Sequence, residues 1–166
     1  MSKLINAKIS TSIPHVDERL SKYLHFATTC DIPSNLMLLF KDCITAVASQ
    51  MESEGFFDKP NTVLRIACIA SNTDTISIKL DSDELGMCTS IIVYPIHKWN
   101  HLNDIGKCLC IIEELCHLLW NIQSEFEVNF KVFEILKTLY SDITMDKIYS
   151  PESMAHLAAL EGKTYP

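Results

Sequence analysis

The chain has 166 residues, of which 48% are hydrophobic and few are Gly or Pro, a composition typical of a globular domain and not of a disordered segment. Its net charge is −7 and it contains no long run of Lys or Arg, so direct nucleic-acid binding is disfavoured. The length suits one domain with a sizeable core, and we predict a single domain over residues 1–166.

The first third of the chain has the pattern of helices. Residues 17–27 place their apolar side chains on one face, which predicts a short helix. A second segment begins after Pro33 and ends before Gly55, residues that commonly mark the start and end of a helix. Its apolar residues recur at three- and four-residue steps and predict a long amphipathic helix. The apolar side consists of Leu36, Phe40, Cys43, Val47 and Met51.

The middle of the chain has the pattern of strands. Residues 62–70 are rich in β-branched and apolar residues, and residues 74–81 alternate apolar with polar side chains. The turn-forming residues 71–73 between them predict a hairpin. Residues 89–94 predict a third strand, which Pro95 ends. We therefore expect a small, mainly antiparallel three-stranded sheet.

Helical patterns return in the second half of the chain. They predict a helix over about residues 103–122, a second helix over about residues 125–140 and a short last helix over about residues 150–162. The order of elements is then N-terminal helices, a small sheet and C-terminal helices, which predicts an α+β fold.

The helix predicted over residues 103–122 contains the order E-E-x-x-H. Its apolar stripe, which should face the core, consists of Ile112, Leu115, Leu119 and Ile122. Glu113, Glu114 and His117 fall on roughly the opposite side, where Glu113 and His117 are neighbours because they are four residues apart. Two interpretations follow. These residues form either a solvated face with a weak ion pair or part of a metal site.

The segment resembles a family of zinc metallopeptidases. EELCHLL is similar to the H-E-x-x-H helix of the ImmA/IrrE-type metallopeptidases, a gluzincin-like group, and EVNFKVFEIL is similar to the helix that carries their third ligand. The preceding SIIVYP and LNDIGKCLC also lie where that family has a strand and the lead-in to its active helix. The chain departs from the pattern at Glu113, which replaces the first histidine, and at Val128, which replaces the usual alanine.

This resemblance implies a site and a function. By position, Glu113, His117 and Glu127 would bind the metal and Glu114 would be the catalytic general base. Zinc would be the expected metal, with manganese or iron as alternatives because a second carboxylate relaxes the preference for zinc. The additional negative charge would also make a bound water less acidic, which weakens or abolishes catalysis. The family includes proteases that cleave phage or mobile-element repressors. The resemblance thus implies a degenerate regulatory metallopeptidase that acts on a protein substrate.

The sequence is also compatible with two alternatives to this site. The first is a non-catalytic interaction module that keeps the fold, binds no metal and holds a protein partner. The second is a zinc–thiolate site made of Cys108, Cys110 and Cys116. It is disfavoured because Cys116 falls toward the core stripe and no second C-x-x-C pair completes the ligand set.

The sequence also predicts a cytoplasmic location without membrane contact. No apolar run is long enough to cross a bilayer, and the first 20 residues lack the apolar core of a signal peptide. The seven cysteines are then expected to be reduced thiols. The expected partner is a protein or peptide, and the pattern does not define an oligomeric state.

Overall fold

The computed structural model of the protein describes residues 3–5, 13–58, 66–74, 76–79 and 90–165. Its strands are β1 (Lys3–Ile5), β2 (Leu24–Thr28), β3 (Ile66–Ser71), β4 (Ser77–Lys79) and β5 (Ser90–Pro95). Its α-helices are α1 (Ser34–Ser53), α2 (Asp104–Leu119), α3 (Glu125–Leu139), α4 (Met145–Ile148) and α5 (Pro151–Leu160). Short 3-10 segments cover Glu18–Leu20, Phe56–Asp58 and Ile96–His101.

The three-stranded sheet has the order β2-β3-β5, and all three strands are parallel. The fold is α+β as predicted, but the prediction of a mainly antiparallel sheet was wrong. β4 does not return beside β3; it pairs antiparallel with β1 in a separate two-stranded sheet. β3 is buried at every position except Ala67, which is partly buried. This burial on both faces is typical of a central parallel strand and explains its nearly continuous apolar sequence.

The predicted hairpin turn does form local hydrogen bonds without producing a hairpin. Ser71 Oγ accepts a hydrogen bond from the Thr73 backbone N–H at 3.1 Å. A turn of this kind sets only the local direction of the chain, whereas strand pairing depends on distant residues. The parts of the strand predictions at residues 59–65, 75 and 80–89 lie outside the described residues.

The first predicted helix was also wrong. Residues 17–27 form the 3-10 turn Glu18–Leu20 and then most of β2. The backbone N–H of Ile66 donates to the carbonyl of Tyr23 at 2.7 Å, next to the parallel pairing of β2 with β3. This pairing overrides a helical pattern of about three turns, because local propensity is a weak determinant beside sheet formation.

Four of the α-helices agree with the sequence patterns, whereas the short α4 was not predicted. α1, α2, α3 and α5 lie within or close to the predicted ranges, although α2 ends at Leu119 and not at Ile122. The stripe of Ile112, Leu115 and Leu119 is buried as expected, and Ile122, beyond the helix, is partly buried. Among the helices of the described residues, none combines the length and the apolar composition that a bilayer crossing requires.

An aromatic cluster joins α1 to the sheet. The ring of Phe40 on α1 lies 5.0 Å from that of Phe26, 5.2 Å from that of Tyr94 and 5.9 Å from that of Trp99, measured between centroids. The buried hydroxyl of Tyr94 donates to the carbonyl of Ile111 at 3.1 Å, which links β5 to α2. These contacts fix α2 against the core and leave its opposite side free to form a site.

Candidate metal centre

α2 places Glu113 and His117 on the side of the helix that faces away from its fully buried stripe. The helix begins at a well-formed cap, where Asn103 Oδ1 accepts a hydrogen bond from the Gly106 N–H at 2.8 Å. Glu113 and His117 are both partly buried, since α3 packs beside α2. The i, i+4 spacing therefore puts a carboxylate and an imidazole together in a partly covered position.

The turn after α2 fixes the orientation of His117. Asn121 has a φ of 53°, a left-handed conformation that asparagine adopts more readily than most residues and that ends the helix. The next carbonyl, that of Ile122, lies 2.6 Å from His117 Nδ1 and accepts a hydrogen bond from it. This bond assigns the proton of the neutral ring to Nδ1 and leaves Nε2 with a free lone pair. A backbone carbonyl on the second nitrogen is a common arrangement for a metal-binding histidine.

α3 supplies the third member of the site. It begins at Glu125, with Ser124 as the N-cap. Glu125 Oε1 lies 3.7 Å from His117 Nε2. One potential ligand atom each from Glu113, His117 and Glu125 lies within 4.8 Å of the others. Two ligands of a tetrahedral zinc ion, each about 2.1 Å from it, are roughly 3.4 Å apart, so small side-chain adjustments would bring the three atoms to one ion.

The carboxylate of Glu113 is in an environment that disfavours its charge. Burial raises its pKa, and the negative charges of Glu125 and Glu114 raise it further, while His117 acts in the opposite direction. A bound cation would relieve both the loss of solvation and the repulsion between carboxylates. The electrostatics of the group therefore favour a positive ligand.

The structure brings two of the three predicted metal ligands together and gives the third another partner. Glu113 and His117 come together, but the partner from α3 in this group is Glu125. Glu127 Oε1 lies 2.9 Å from Lys163 Nζ, and its backbone N–H donates to Ser124 Oγ at 3.0 Å. Ser124 and Glu127 thus occupy the two positions of a helix capping box. Only the Ser124 half of the box is formed, because the Glu127 carboxylate is paired with Lys163.

The roles predicted for Glu114 and Glu127 stay predictions. Glu114 is exposed beside Glu113. Glu127 belongs to no group of three close potential ligands within the described part of the chain.

Tyr149 is a residue near the site that the sequence did not reveal. Its hydroxyl is buried and forms no hydrogen bond with any of the described residues. Burial raises the pKa of Tyr149, and the charge of Glu113 raises it further, so the phenol keeps its proton at neutral pH. The Tyr149 hydroxyl is therefore a neutral donor without an acceptor among the described residues.

The cysteines of α2 are poor candidates for ligands. Cys108 and Cys116 are buried in the core, and Cys110 is partly buried. Burial, followed by the charge of Glu113, raises the pKa of Cys110. A thiol must lose its proton to bind zinc, so the surroundings of Cys110 oppose a zinc–thiolate site that includes it.

Comparisons with protein-family models, with curated proteins and with solved structures found no match to this chain.

Proposed function

We propose that this protein binds one divalent metal ion between α2 and α3 and that the site is a weakened form of a metallopeptidase active site. The observation that supports metal binding is that potential ligand atoms of Glu113, His117 and Glu125 lie close together. In addition, Nδ1 of His117 is already hydrogen-bonded to the Ile122 carbonyl. The proposed ligands are two carboxylates and one imidazole, with a further position open to water or substrate. Zinc is the proposed metal, and manganese or iron would suit the oxygen-rich ligand set.

The peptidase part of the proposal depends on the E-E-x-x-H order. When bound, the metal would polarise a substrate carbonyl and lower the pKa of a coordinated water. Glu114 follows the first proposed ligand directly and is exposed, and we propose it as the base that accepts a proton from that water. Two anionic ligands reduce the effective charge of the metal, which is why we propose low or lost activity on a protein substrate.

Metal binding is tested by calorimetry on protein stripped with a chelator and titrated with Zn²⁺ or Mn²⁺. We expect one equivalent to bind, with at least about a hundredfold weaker affinity in His117→Ala and in Glu125→Gln. Glu152→Gln, which removes an exposed carboxylate from α5, is the matched control and should bind like the natural protein. Glu127→Gln should have a small effect, because its carboxylate is paired with Lys163.

Hydrolysis is tested separately with a fluorescently labelled casein. The zinc-loaded protein should cleave it slowly or not at all, Glu113→His should cleave it faster, and Glu114→Gln added to that variant should abolish cleavage while the metal stays bound. Metal binding without cleavage in any variant would contradict the peptidase part of the proposal. Absence of metal binding would contradict the whole proposal and favour the interaction module.

A further inference from the structure

The last part of the chain, residues 150–165, forms a strap that consists of α5 and the short tail after it. Its apolar side chains belong to a small cluster that is separate from the main core. The buried members of this cluster are Phe126 of α3 and Met154 and Ala158 of α5. A region with few buried apolar contacts commonly opens at a lower free energy than the whole domain.

The strap is attached to one place, the beginning of α3. Met154 Sδ accepts a hydrogen bond from Asn129 Nδ2 at 3.5 Å, and the ring centroids of Tyr165 and Phe126 lie 6.2 Å apart. All the hydrogen bonds, ion pairs and ring contacts found between the strap and other described residues end within residues 124–129. The loss of this one attachment would therefore release the whole strap.

Glu161 makes the central contact of the strap. Its carboxylate accepts hydrogen bonds from the Ser124 hydroxyl and from the Phe126 backbone N–H, the latter at 3.1 Å. The first N–H groups of a helix have no acceptor within the helix, so this carboxylate completes the cap of α3 from outside. Lys163 adds a second link, since its Nζ lies 2.6 Å from Ser124 Oγ and 2.9 Å from Glu127 Oε1.

A turn at Gly162 brings these two side chains to the same place. Gly162 has a φ of 66°, a left-handed conformation that glycine adopts readily. The Lys163 N–H donates to the carbonyl of Ala158 at 2.7 Å and closes the end of α5. The side chains of Glu161 and Lys163 then lie 2.7 Å apart, and both contact Ser124.

We propose that the strap opens as a unit while the main core stays folded, and that its closed state holds the first turn of α3 in place for metal binding. Glu125 lies between the two α3 residues that Glu161 binds. Opening removes both bonds and frees this turn, so the Glu125 carboxylate loses its fixed position near His117. The link to metal binding rests on the proposed function, whereas the opening itself does not.

Amide hydrogen exchange of the metal-free, full-length protein, followed by NMR at neutral pH, tests the opening. We expect the hydrogen-bonded amides of α5 to exchange at least about a hundredfold faster than those of α1. The Phe126 amide should exchange at the rate of α5, since its acceptor belongs to the strap. Equal protection of α1 and α5 would overturn the proposal, because it would show that the strap unfolds only with the whole domain.

Glu161→Gln tests the attachment, with Glu152→Gln as the matched control. Glu152 is an exposed carboxylate in the first turn of the same helix. Glu161→Gln should speed the exchange of α5 and of the Phe126 amide at least about tenfold and leave α1 unchanged, since a neutral amide replaces a charged acceptor. Glu152→Gln should exchange like the natural protein. Unchanged exchange in Glu161→Gln, or equal acceleration of α1, would overturn the proposal.

Zinc calorimetry on the same variants tests the link to the metal centre. Zinc affinity should fall at least about fivefold in Glu161→Gln and stay unchanged in Glu152→Gln. Because coupling is reciprocal, bound zinc should slow the exchange of α5 and of the Phe126 amide by a similar factor. Unchanged zinc affinity in Glu161→Gln would overturn the link. If the natural protein binds no zinc, the proposed function fails, and exchange in the metal-free protein still decides whether the strap opens.

Discussion

Replacing Glu113 with Gln should stabilise the metal-free protein and weaken its metal binding. Ligand atoms of Glu113 and Glu125 lie within 4.8 Å of each other. Two like charges at that distance repel by about 0.9 kcal/mol in water and by about 3.5 kcal/mol at an effective dielectric constant of 20. The side chain of Glu125 is 58% exposed, so screening by water favours the lower value. We therefore expect Glu113→Gln to raise the free energy of unfolding by about 1 kcal/mol.

The measurement is urea unfolding at pH 7.5 in the presence of a chelator, followed by zinc calorimetry on the same preparations. A gain of about 1 kcal/mol corresponds to an increase in melting temperature of roughly 2–4 °C for a domain of this size. Zinc affinity should fall at least about tenfold, since a neutral amide replaces an anionic ligand. Glu152→Gln controls for the loss of one negative charge elsewhere. A loss of stability in Glu113→Gln would refute this reasoning, because it would show that the carboxylate makes a stabilising contact in the absence of metal.

Three further predictions concern the site, the core and the acid stability. Glu113→His should bind zinc at least about tenfold more tightly than the natural protein, as measured by calorimetry, because it replaces one of two anionic ligands with an imidazole; equal affinity would contradict the proposed coordination. Leu115→Ala should lower the free energy of unfolding by about 2–5 kcal/mol in urea, since Leu115 is only 1% exposed. The pKa of Glu161 is lowered from 4.5 to about 2, first by Lys163 and then by hydrogen bonds from Ser124 and the Phe126 N–H. Its ionised form thus stabilises the fold above about pH 4.5, and this contribution is lost as the pH falls toward 2. Glu161→Gln should flatten the pH dependence of stability in that interval, and an unchanged profile would show that the contact has no energetic role.

The choice of ligand from α3 shows where sequence reasoning reached its limit. Position in a resembling motif pointed to Glu127, whereas the structure places the carboxylate of Glu125 near His117 and that of Glu127 near Lys163. Side chains two positions apart on a helix, such as those of Glu125 and Glu127, point about 200° apart around its axis. Which of the two carboxylates faces His117 therefore depends on how α3 is rotated against α2. The rotation follows from packing around the Ser124 cap and the C-terminal segment, which no local pattern describes.

The sequence by itself determined the later helices and the side of α2 that carries the candidate site. Amphipathic period and capping residues act over a few neighbouring positions, so the patterns around Asn103 and Ser150 were sufficient to place α2 and α5. Only the tertiary structure decided the pairing of the strands. β3 lies between β2 and β5, and each pairing joins segments separated by long stretches of chain. The free energy of such contacts comes from burial against distant residues. The turn residues 71–73 therefore could not predict which strands pair.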